Sequence, residues 1–350
     1  MGGELRGEAR NARVSWTSRE GLLLRLIDNE GRFGVGEASP LPGYSRETLE
    51  MCADALERLD TGGLPSSPPD TPAAEWLPEI GGLLPPTVPA ATFALETAFL
   101  DWAGRRTGRS VAEILRPEGP HNDVRLAALM QGRTREEIAD EARAAFARGV
   151  ETIKVKIGRP GCFDQEMELL HGLRKELGDR FALRLDGNGA WNLSEAEERL
   201  PSLASVRPEF VEQPVVPYLL LKLGDSPVPV AADETLLFPG AAERLSSVRA
   251  VKVWVLKPMA LGGIARCLAV AKIAKARKIG LVVSHLFDGP VALAAAAELA
   301  LALPTPPLAC GLDKHAGLSA WPGVSTPQIG GGTVRPSGAA GLGVSLPGEG

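Results

Sequence analysis

Cysteine, histidine and tyrosine are rare in this chain. Its 350 residues include four cysteines, four histidines and two tyrosines. The cysteines, at positions 52, 162, 267 and 310, are widely scattered and form no C-x-x-C pair. This pattern favours reduced thiols that pack in the core over a disulfide framework or a zinc site.

Long apolar runs are also absent. No run approaches the ~20 residues that span a bilayer, and the first 13 residues are mostly polar. We therefore expect a cytoplasmic protein with no membrane partner. The net charge of −5 and the pI of about 5.6 argue against nucleic acid as a partner. A small anionic substrate would have to be held by local charges, and the sequence does not indicate the oligomeric state.

Charged residues stand at the ends of apolar, strand-like runs. Lys154 and Lys156 lie in the run 152–157, and because strand side chains alternate, both point to the same side. Two like charges on a buried strand need an anionic partner. Three acids and a third lysine close the next four strand-like runs: Asp186, Glu212, Asp233 and Lys257.

The spacing of these strand ends predicts a β/α barrel. From Lys156 through the three acids to Lys257 the intervals are 30, 26, 21 and 24 residues, each the length of a strand, a helix and two short loops. Eight strands are predicted, which is enough to close a barrel: 124–130, 152–157, 181–186, 209–212, 229–233, 250–256, 280–284 and 307–311. The polar residues would then meet at the carboxyl ends of the strands.

The region before the barrel predicts a smaller α and β unit. Short β-like runs at 12–16, 22–27 and 32–37 indicate an antiparallel meander. Residues 38–45 are too rich in proline and glycine for regular structure, and are interpreted as a connector or as a lid. A helix is predicted from about Arg46 to Leu59, with Ser45 as its N-cap.

Proline dominates the next segment. Eight prolines between residues 61 and 89 predict an irregular surface excursion, and a helix is expected to restart at about Ala90. The glycine-rich tail after residue 330 has no helix signal, so composition alone predicts disorder there.

The strand-end residues together resemble the enolase superfamily, in its muconate-lactonizing subgroup. The resemblance implies an α/β fold, a (β/α)7β barrel (TIM-like) at 122–325 with an α+β capping domain at 1–121. Residues 326–350 would return to the capping domain, with 341–344 as its closing strand.

One stretch is similar to a single branch of this subgroup. Residues 36–48 resemble the capping loop of the o-succinylbenzoate synthases, and 184–191 and 311–313 resemble the ends of their third and eighth strands. The segment 284–290 departs from the commoner synthase pattern. Dipeptide epimerases usually carry Asp-x-Asp on the eighth strand, whereas Asp313 is followed by Lys314 and His315.

The resemblance also implies roles for the strand-end residues. Asp186, Glu212 and Asp233 would bind Mg²⁺ or Mn²⁺, hard cations that prefer oxygen ligands. Lys156 would be the base that removes a proton α to a carboxylate, with its pKa lowered by the metal and by Lys154. Lys257 would stabilise the enolate. Substrate contacts are assigned to Arg184, Asn188, Ser284, His285 and Tyr44.

Three functions stay open from the sequence. The first is o-succinylbenzoate synthase, a lyase of menaquinone biosynthesis. The second is an N-acylamino acid racemase or dipeptide epimerase, which needs both Lys156 and Lys257 as bases. The third is a non-catalytic barrel that binds a ligand, although a decayed site would be expected to lose buried charges.

Overall fold

The computed structural model describes residues 2–10, 15–315, 318–319, 321, 323–324 and 329–346. Its N-terminal part contains two antiparallel strand pairs, followed by four helices. The strands are β1 (Gly2–Arg10), β2 (Ser15–Glu20), β3 (Leu22–Ile27) and β4 (Phe33–Ala38), paired β1 with β2 and β3 with β4. The helices are α1 (Leu49–Glu57), α2 (Ala73–Gly81), α3 (Pro89–Thr107) and α4 (Val111–Leu115).

The structure corrects several predictions for this region. Strand β1 was not predicted, and the predicted strand 12–16 lies partly outside the described residues, which begin again at Ser15 within the longer β2. Helix α1 begins after Thr48, whose side chain accepts from the amide of Met51, so Ser45 is not its N-cap. Ser45 instead accepts a hydrogen bond from the amide of Leu41.

The proline-rich segment is more regular than its composition predicts. It contains a short 3₁₀ turn at Thr61–Gly63 and the nine-residue helix α2. Three apolar side chains of α2, Trp76, Leu77 and Ile80, are buried. Their burial in tertiary contacts outweighs the low helix propensity of proline.

Helix α3 is the centre of the N-terminal part. All of its residues from 90 to 104 are buried, polar ones such as Glu96 and Asp101 included, so this part of the helix is enclosed on every side. Strand β4 lies directly against it, because Gly36 has no side chain: a Cβ there would meet the carbonyl oxygen of Ala94 at 1.9 Å.

The second part of the chain is a parallel β/α unit. After β5 (Val124–Arg125), seven strands pair in chain order, β6 to β12. They are β6 (Ala127–Leu129), β7 (Thr152–Lys156), β8 (Ala182–Asp186), β9 (Phe210–Glu212), β10 (Val230–Ala232), β11 (Val251–Leu256) and β12 (Gly280–Val283). The helices between and after them are α5 (Arg135–Ala147), α6 (Phe163–Leu177), α7 (Leu193–Leu203), α8 (Pro217–Leu220), α9 (Ala241–Leu245), α10 (Pro258–Leu261), α11 (Ile264–Arg277) and α12 (Pro290–Ala302).

The eighth predicted strand closes the sheet through single bridges. Cys310 bridges Leu126 and Gly311 bridges Ser284, both in parallel orientation, so this stretch joins the two edges of the seven-stranded sheet. The predicted strand 124–130 is divided, because its first two residues form β5 and pair elsewhere. The (β/α)7β barrel with a separate capping part is confirmed in this form.

The C-terminal residues return to the N-terminal part. Strand β13 (Ile329–Gly330) pairs with β14 (Thr333–Val334), and β14 pairs in turn with β5. Further on, Gly341 bridges Ser110, and the amide of Leu342 donates to Asp101 of α3 at 2.8 Å. The segment is therefore docked on α3, although only a single bridge forms where a strand was predicted. The domain boundaries at 121 and 325 stay predictions.

In the described part of the chain, no helix has the length and apolar character needed to cross a bilayer.

Candidate active site

A cavity of about 360 Å³ opens at the carboxyl ends of the barrel strands. The strand ends form its floor, and the loop between β4 and α1 covers it. Most of the residues predicted for the site line this cavity: Tyr44, Lys154, Lys156, Arg184, Asp186, Asn188, Glu212, Lys257, Ser284 and His285. Asp233 lies against the cavity through its contacts with Tyr44 and Lys257.

Parallel pairing places the charged strand ends at one level. Lys156 lies opposite Asp186, and Asp186 lies opposite Glu212, in consecutive strands. Lys154 and Lys156 both line the cavity, while Val155 between them is buried on the other side of the strand. The alternation predicted from the sequence is therefore observed.

Lys154 is held between two buried carboxylates. Its Nζ lies 2.9 Å from Asp186 Oδ2 and 2.6 Å from Glu212 Oε1. Burial alone would lower the pKa of Lys154, but Asp186 and Glu212 together raise it above its ordinary value. Burial raises the pKa of Glu212 to about 7, although Lys154 opposes this rise. For Asp186 the adjacent ammonium outweighs burial, and its pKa lies below the usual value. Lys154 is therefore a fixed cation.

A second buried ion pair, between Lys257 and Asp233, lies across the barrel. Lys257 follows β11, and its Nζ donates to Asp233 Oδ2 and, at 3.3 Å, to the hydroxyl of Tyr44. The Tyr44 hydroxyl also donates to Asp233 Oδ1 at 3.3 Å. Burial and the neighbouring carboxylates hold the pKa of Tyr44 well above its usual value, so it remains a neutral phenol. The loop between β4 and α1 thus contacts the floor of the cavity through Tyr44.

Two predicted substrate residues have structural contacts of their own. Asn188 adopts a left-handed conformation with φ of 43°, and its backbone N–H donates to Asp186 Oδ1 at 3.1 Å. Arg184 lies on β8, two residues before Asp186. It pairs with Glu209 at 2.6 Å, and its guanidinium stacks over the ring of Phe210. The role of each in substrate binding stays a prediction.

The other two lie on the rim of the barrel. Ser284 donates to the carbonyl of Gly311 at 3.4 Å. His285 stacks on His315 with ring centroids 4.1 Å apart, and its Nδ1 accepts from the amide of Phe287. Burial, together with the charge of Lys257, lowers the pKa of His285 to about 3. A neutral histidine pair therefore faces the cavity.

Two further ionisable residues near the site, Glu234 and Arg148, were not predicted from the sequence. Glu234 directly follows Asp233, and burial and that neighbour raise its pKa to about 8. Arg148 pairs with Asp313 at 2.9 Å, and both line the cavity. The consecutive acids Asp233 and Glu234 at a strand end were a visible signal, whereas no pattern in the sequence connects Arg148 to Asp313.

The donor set fits a hard divalent cation. Asp186, Glu212 and Asp233 are almost fully buried and offer only oxygen ligands. Two buried oxygens beside them, Asn188 Oδ1 and Glu234 Oε2, have no hydrogen-bond partner among the described residues. Among the described residues no group of three acids, histidines or cysteines is placed so that it could hold a metal ion. The ammonium groups of Lys154 and Lys257 contact these carboxylates instead.

Comparison with known proteins identifies the family. A model of the enolase C-terminal domain-like family matches residues 137–349, and one of the MenC N-terminal domain matches residues 10–62. The chain is 30% identical to muconate cycloisomerase 1-1 of Acinetobacter lwoffii over 79% of its length and 74% of that protein. It is 29% identical to an o-succinylbenzoate synthase of Desulfotalea psychrophila, over 85% of this chain and 88% of that one.

A solved dipeptide epimerase has the same fold. The enzyme from Methylococcus capsulatus, complexed with Mg and the dipeptide L-Arg-D-Lys, superimposes with a TM-score of 0.84 at 28% identity, covering 99% of this chain and 97% of that one. The chain therefore belongs to the enolase superfamily. Its relatives place it in the muconate-lactonizing subgroup. The relatives named above differ in activity but are similarly identical to this chain, so sequence identity alone does not decide which reaction the protein catalyses.

Proposed function

We propose that this protein is an o-succinylbenzoate synthase, which dehydrates 2-succinyl-6-hydroxy-2,4-cyclohexadiene-1-carboxylate to 2-succinylbenzoate in menaquinone biosynthesis. The observation that carries the proposal is the capping segment. Residues 10–62 match the MenC N-terminal domain, and this segment brings Tyr44 against Lys257 and Asp233. The segment that resembles the synthases thus contacts two residues to which the proposal assigns the reaction.

The lysines divide the chemistry between them. Lys156 removes the proton α to the ring carboxylate, and the negative charge that develops is stabilised by Lys257, whose ammonium is fixed by Asp233. Lys156 then returns its proton to the β-hydroxyl, which leaves as water while the ring becomes aromatic. Asp186, Glu212 and Asp233 would hold Mg²⁺ or Mn²⁺, which supplies electrostatic stabilisation to the carboxylate oxygens.

The cavity suits a dianion with an apolar ring. Lys154, Lys156 and Lys257 supply positive charge at the floor, and Arg148 and Lys314 supply it near Asp313. Its remaining wall includes several apolar side chains: Trp16, Leu41, Met130, Leu286 and Phe287. A substrate with two carboxylates and a six-membered ring would match both features.

A specific observation supports a second function, an N-acylamino acid racemase or dipeptide epimerase. Lys156 ends β7 and Lys257 directly follows β11, two strands that are separated by three others in the barrel, and both lysines line the cavity. They could therefore exchange protons on opposite faces of one carbon. Against a dipeptide, Asp313 is already paired with Arg148 and so is not free to bind a substrate ammonium group.

A comparison of substrates tests the proposal. The Mg²⁺-loaded protein is assayed with the cyclohexadiene carboxylate, an N-succinylamino acid, a dipeptide and cis,cis-muconate, with Lys156→Ala as the blank. We expect kcat/KM for the cyclohexadiene substrate to exceed the others by at least ~10-fold, or ~1.4 kcal/mol of transition-state stabilisation. A higher value for any of the other three would reject the synthase assignment and leave the fold and the superfamily unchanged.

A further inference from the structure

Two loops from different parts of the chain meet over the cavity. One joins β4 to α1, and the other joins β12 to α12. With strand β2 and one residue of α10 they form a small apolar cluster that is separate from the main core: Trp16, Leu41, Tyr44, Ala260, Leu286 and Phe287. We call Trp16, Leu41, Leu286 and Phe287 the roof, since all four line the cavity. The rings of Trp16 and Phe287 have centroids 6.2 Å apart.

Arg19 joins the two loops behind the roof. It is 2% exposed and does not line the cavity. Its guanidinium donates to the carbonyl oxygens of Ser39 and Pro40 in the first loop, at 2.5 and 3.1 Å, and to that of Phe287 in the second, at 3.1 Å. It also lies 3.9 Å from Asp288. A planar five-donor fork can bind three carbonyls in fixed directions, which an ammonium cannot do.

Glu37 makes the same connection from the other side. It is fully buried, and its carboxylate accepts from the hydroxyl of Ser39 at 2.6 Å. It also accepts from the amides of Gly289 and Ala292, at 2.6 and 3.1 Å, at the beginning of α12. Gly289 is required by this contact, because a Cβ there would meet the two Glu37 oxygens at 2.5 and 2.6 Å.

The loops are therefore fixed to each other by buried polar contacts rather than left as independent connectors. Hydrogen bonds to charged side chains are stronger than those between neutral partners, and the Arg19 and Glu37 side chains make six buried hydrogen bonds between them. Leu41 and Phe287 each lie within two residues of a carbonyl bound by Arg19, so their side chains depend on its position.

We propose that Arg19 is a positioning residue that fixes the roof, and that the roof determines the preference of the site for substrates with a six-membered carbon ring. The substrate class rests on the proposed function. Arg19 does not line the cavity, so its effect is exerted on binding through the roof side chains and not on the proton transfers that the proposed function assigns to Lys156.

The test separates binding from chemistry. Arg19→Lys keeps the charge but cannot bind the three carbonyls. We expect KM for the ring substrate to rise about 10-fold while kcat changes less than about 3-fold, as for a change that removes uniform binding. The matched control is Arg174→Lys. Arg174 also donates to backbone carbonyls, those of Val206, Gly178 and Phe181. None of these residues belongs to the roof or lines the cavity, so KM should not change.

A double-mutant cycle tests whether Arg19 acts through the roof. Leu41→Ala removes a roof side chain, so adding Arg19→Lys to it should raise KM by much less than it does in the wild type. Adding Arg174→Lys should give the same fold-change in both backgrounds. If Arg19→Lys does not fold, Gly289→Ala disturbs the same network from the barrel side and should also raise KM.

The outcomes distinguish this inference from the proposed function. If the wild type prefers another substrate, the synthase assignment fails, and the same variants are then compared on that preferred substrate and on an acyclic analogue. Equal KM in Arg19→Lys, Gly289→Ala and the wild type would overturn the positioning role. So would additive effects with Leu41→Ala. A rise in KM that is equal for ring and acyclic substrates would overturn the ring preference.

Discussion

The ammonium group of Lys154 lies 2.6 Å from Oε1 of Glu212, at the level where a cation is expected to bind. The same ammonium contacts Asp186 at 2.9 Å, so one lysine neutralises part of a buried acidic cluster. Mutual repulsion among such carboxylates would otherwise be large in a site of low dielectric. Lys154 and the proposed metal ion would therefore act on the same carboxylates, and their effects on these carboxylates should be energetically coupled.

Metal binding is the first prediction. Glu212→Gln removes one charged oxygen ligand, and we expect at least ~10-fold weaker Mg²⁺ or Mn²⁺ affinity by titration calorimetry, with loss of activity. Chelation by EDTA should abolish activity in the wild type, and added Mg²⁺ should restore it. Glu243→Gln, at an exposed position on α9, is the control and should bind metal normally. Full turnover in excess EDTA would rule out the metal assignment.

The two lysines of β7 should differ in their effects. Lys156→Ala should abolish exchange of the substrate α-proton with D₂O, because the base is lost. Lys154→Ala should retain slow exchange, but it leaves Asp186 and Glu212 without their cation, and the free energy of unfolding should fall by about 3 kcal/mol. Mg²⁺ should recover part of this loss. Near wild-type kcat in Lys156→Ala would mean that the base lies elsewhere.

Lys257→Arg distinguishes a synthase from a racemase. The guanidinium keeps a positive charge beside Asp233 but does not release a proton at accessible pH. Dehydration should therefore continue at a reduced rate, since Lys257 need only stay cationic, while any racemisation of an N-succinylamino acid should disappear. The ratio of the two rates, measured on one preparation, is the readout. Loss of both activities in parallel would contradict this division of roles.

The pair of Arg148 and Asp313 should influence substrate charge. Arg148→Ala leaves the Asp313 carboxylate facing the cavity alone, so the ratio of kcat/KM for an ammonium-bearing dipeptide to that for a dianion should rise by up to about 5-fold, the value of an exposed ion pair worth up to ~1 kcal/mol. Arg143→Ala is the matched control, since Arg143 lies on α5, which ends just before Arg148, and has similar exposure but pairs with Asp140 and Glu176. An unchanged ratio would exclude Asp313 from substrate selection.

Glu96 should make stability depend on pH. Burial raises the pKa of its carboxyl to about 8, even though it accepts a hydrogen bond from the amide of Ala265. In the unfolded chain a glutamate titrates near 4.3. Between these two values the folded state keeps a proton that the unfolded state releases, so the free energy of unfolding falls as pH rises, by at most ~1.4 kcal/mol per pH unit.

Glu96→Gln should remove that part of the slope. In urea unfolding at pH 5 and pH 8, we expect the variant to lose less stability across this interval than the wild type. Glu79→Gln, at an exposed position of α2, should behave as the wild type does. Parallel slopes in all three proteins would show that Glu96 does not titrate in this range.

The sequence by itself determined the barrel and its charged floor. Buried parallel strands are continuous apolar runs, so the acids and lysines that end them are visible as regular interruptions. The alternation of side chains in β7 also follows from local geometry, which is why Lys154 and Lys156 could be placed on one side before the fold was known. Local rules were less reliable in the capping region, where Thr48 rather than Ser45 caps α1 and buried side chains make α2 helical.

Only the tertiary structure decided how the two parts of the chain cooperate. The contact of Tyr44 with Lys257, the pairing of Arg148 with Asp313, and the bonds from Arg19 to Phe287 join residues that are 213, 165 and 268 positions apart. No periodicity or motif in the sequence links the two residues of any of these pairs. Each contact depends on loops whose ends are fixed by the packing of the strands and helices around them. The residues proposed for catalysis stand at strand ends that can be recognised in the sequence. The loops that cover them are brought together only when the chain folds.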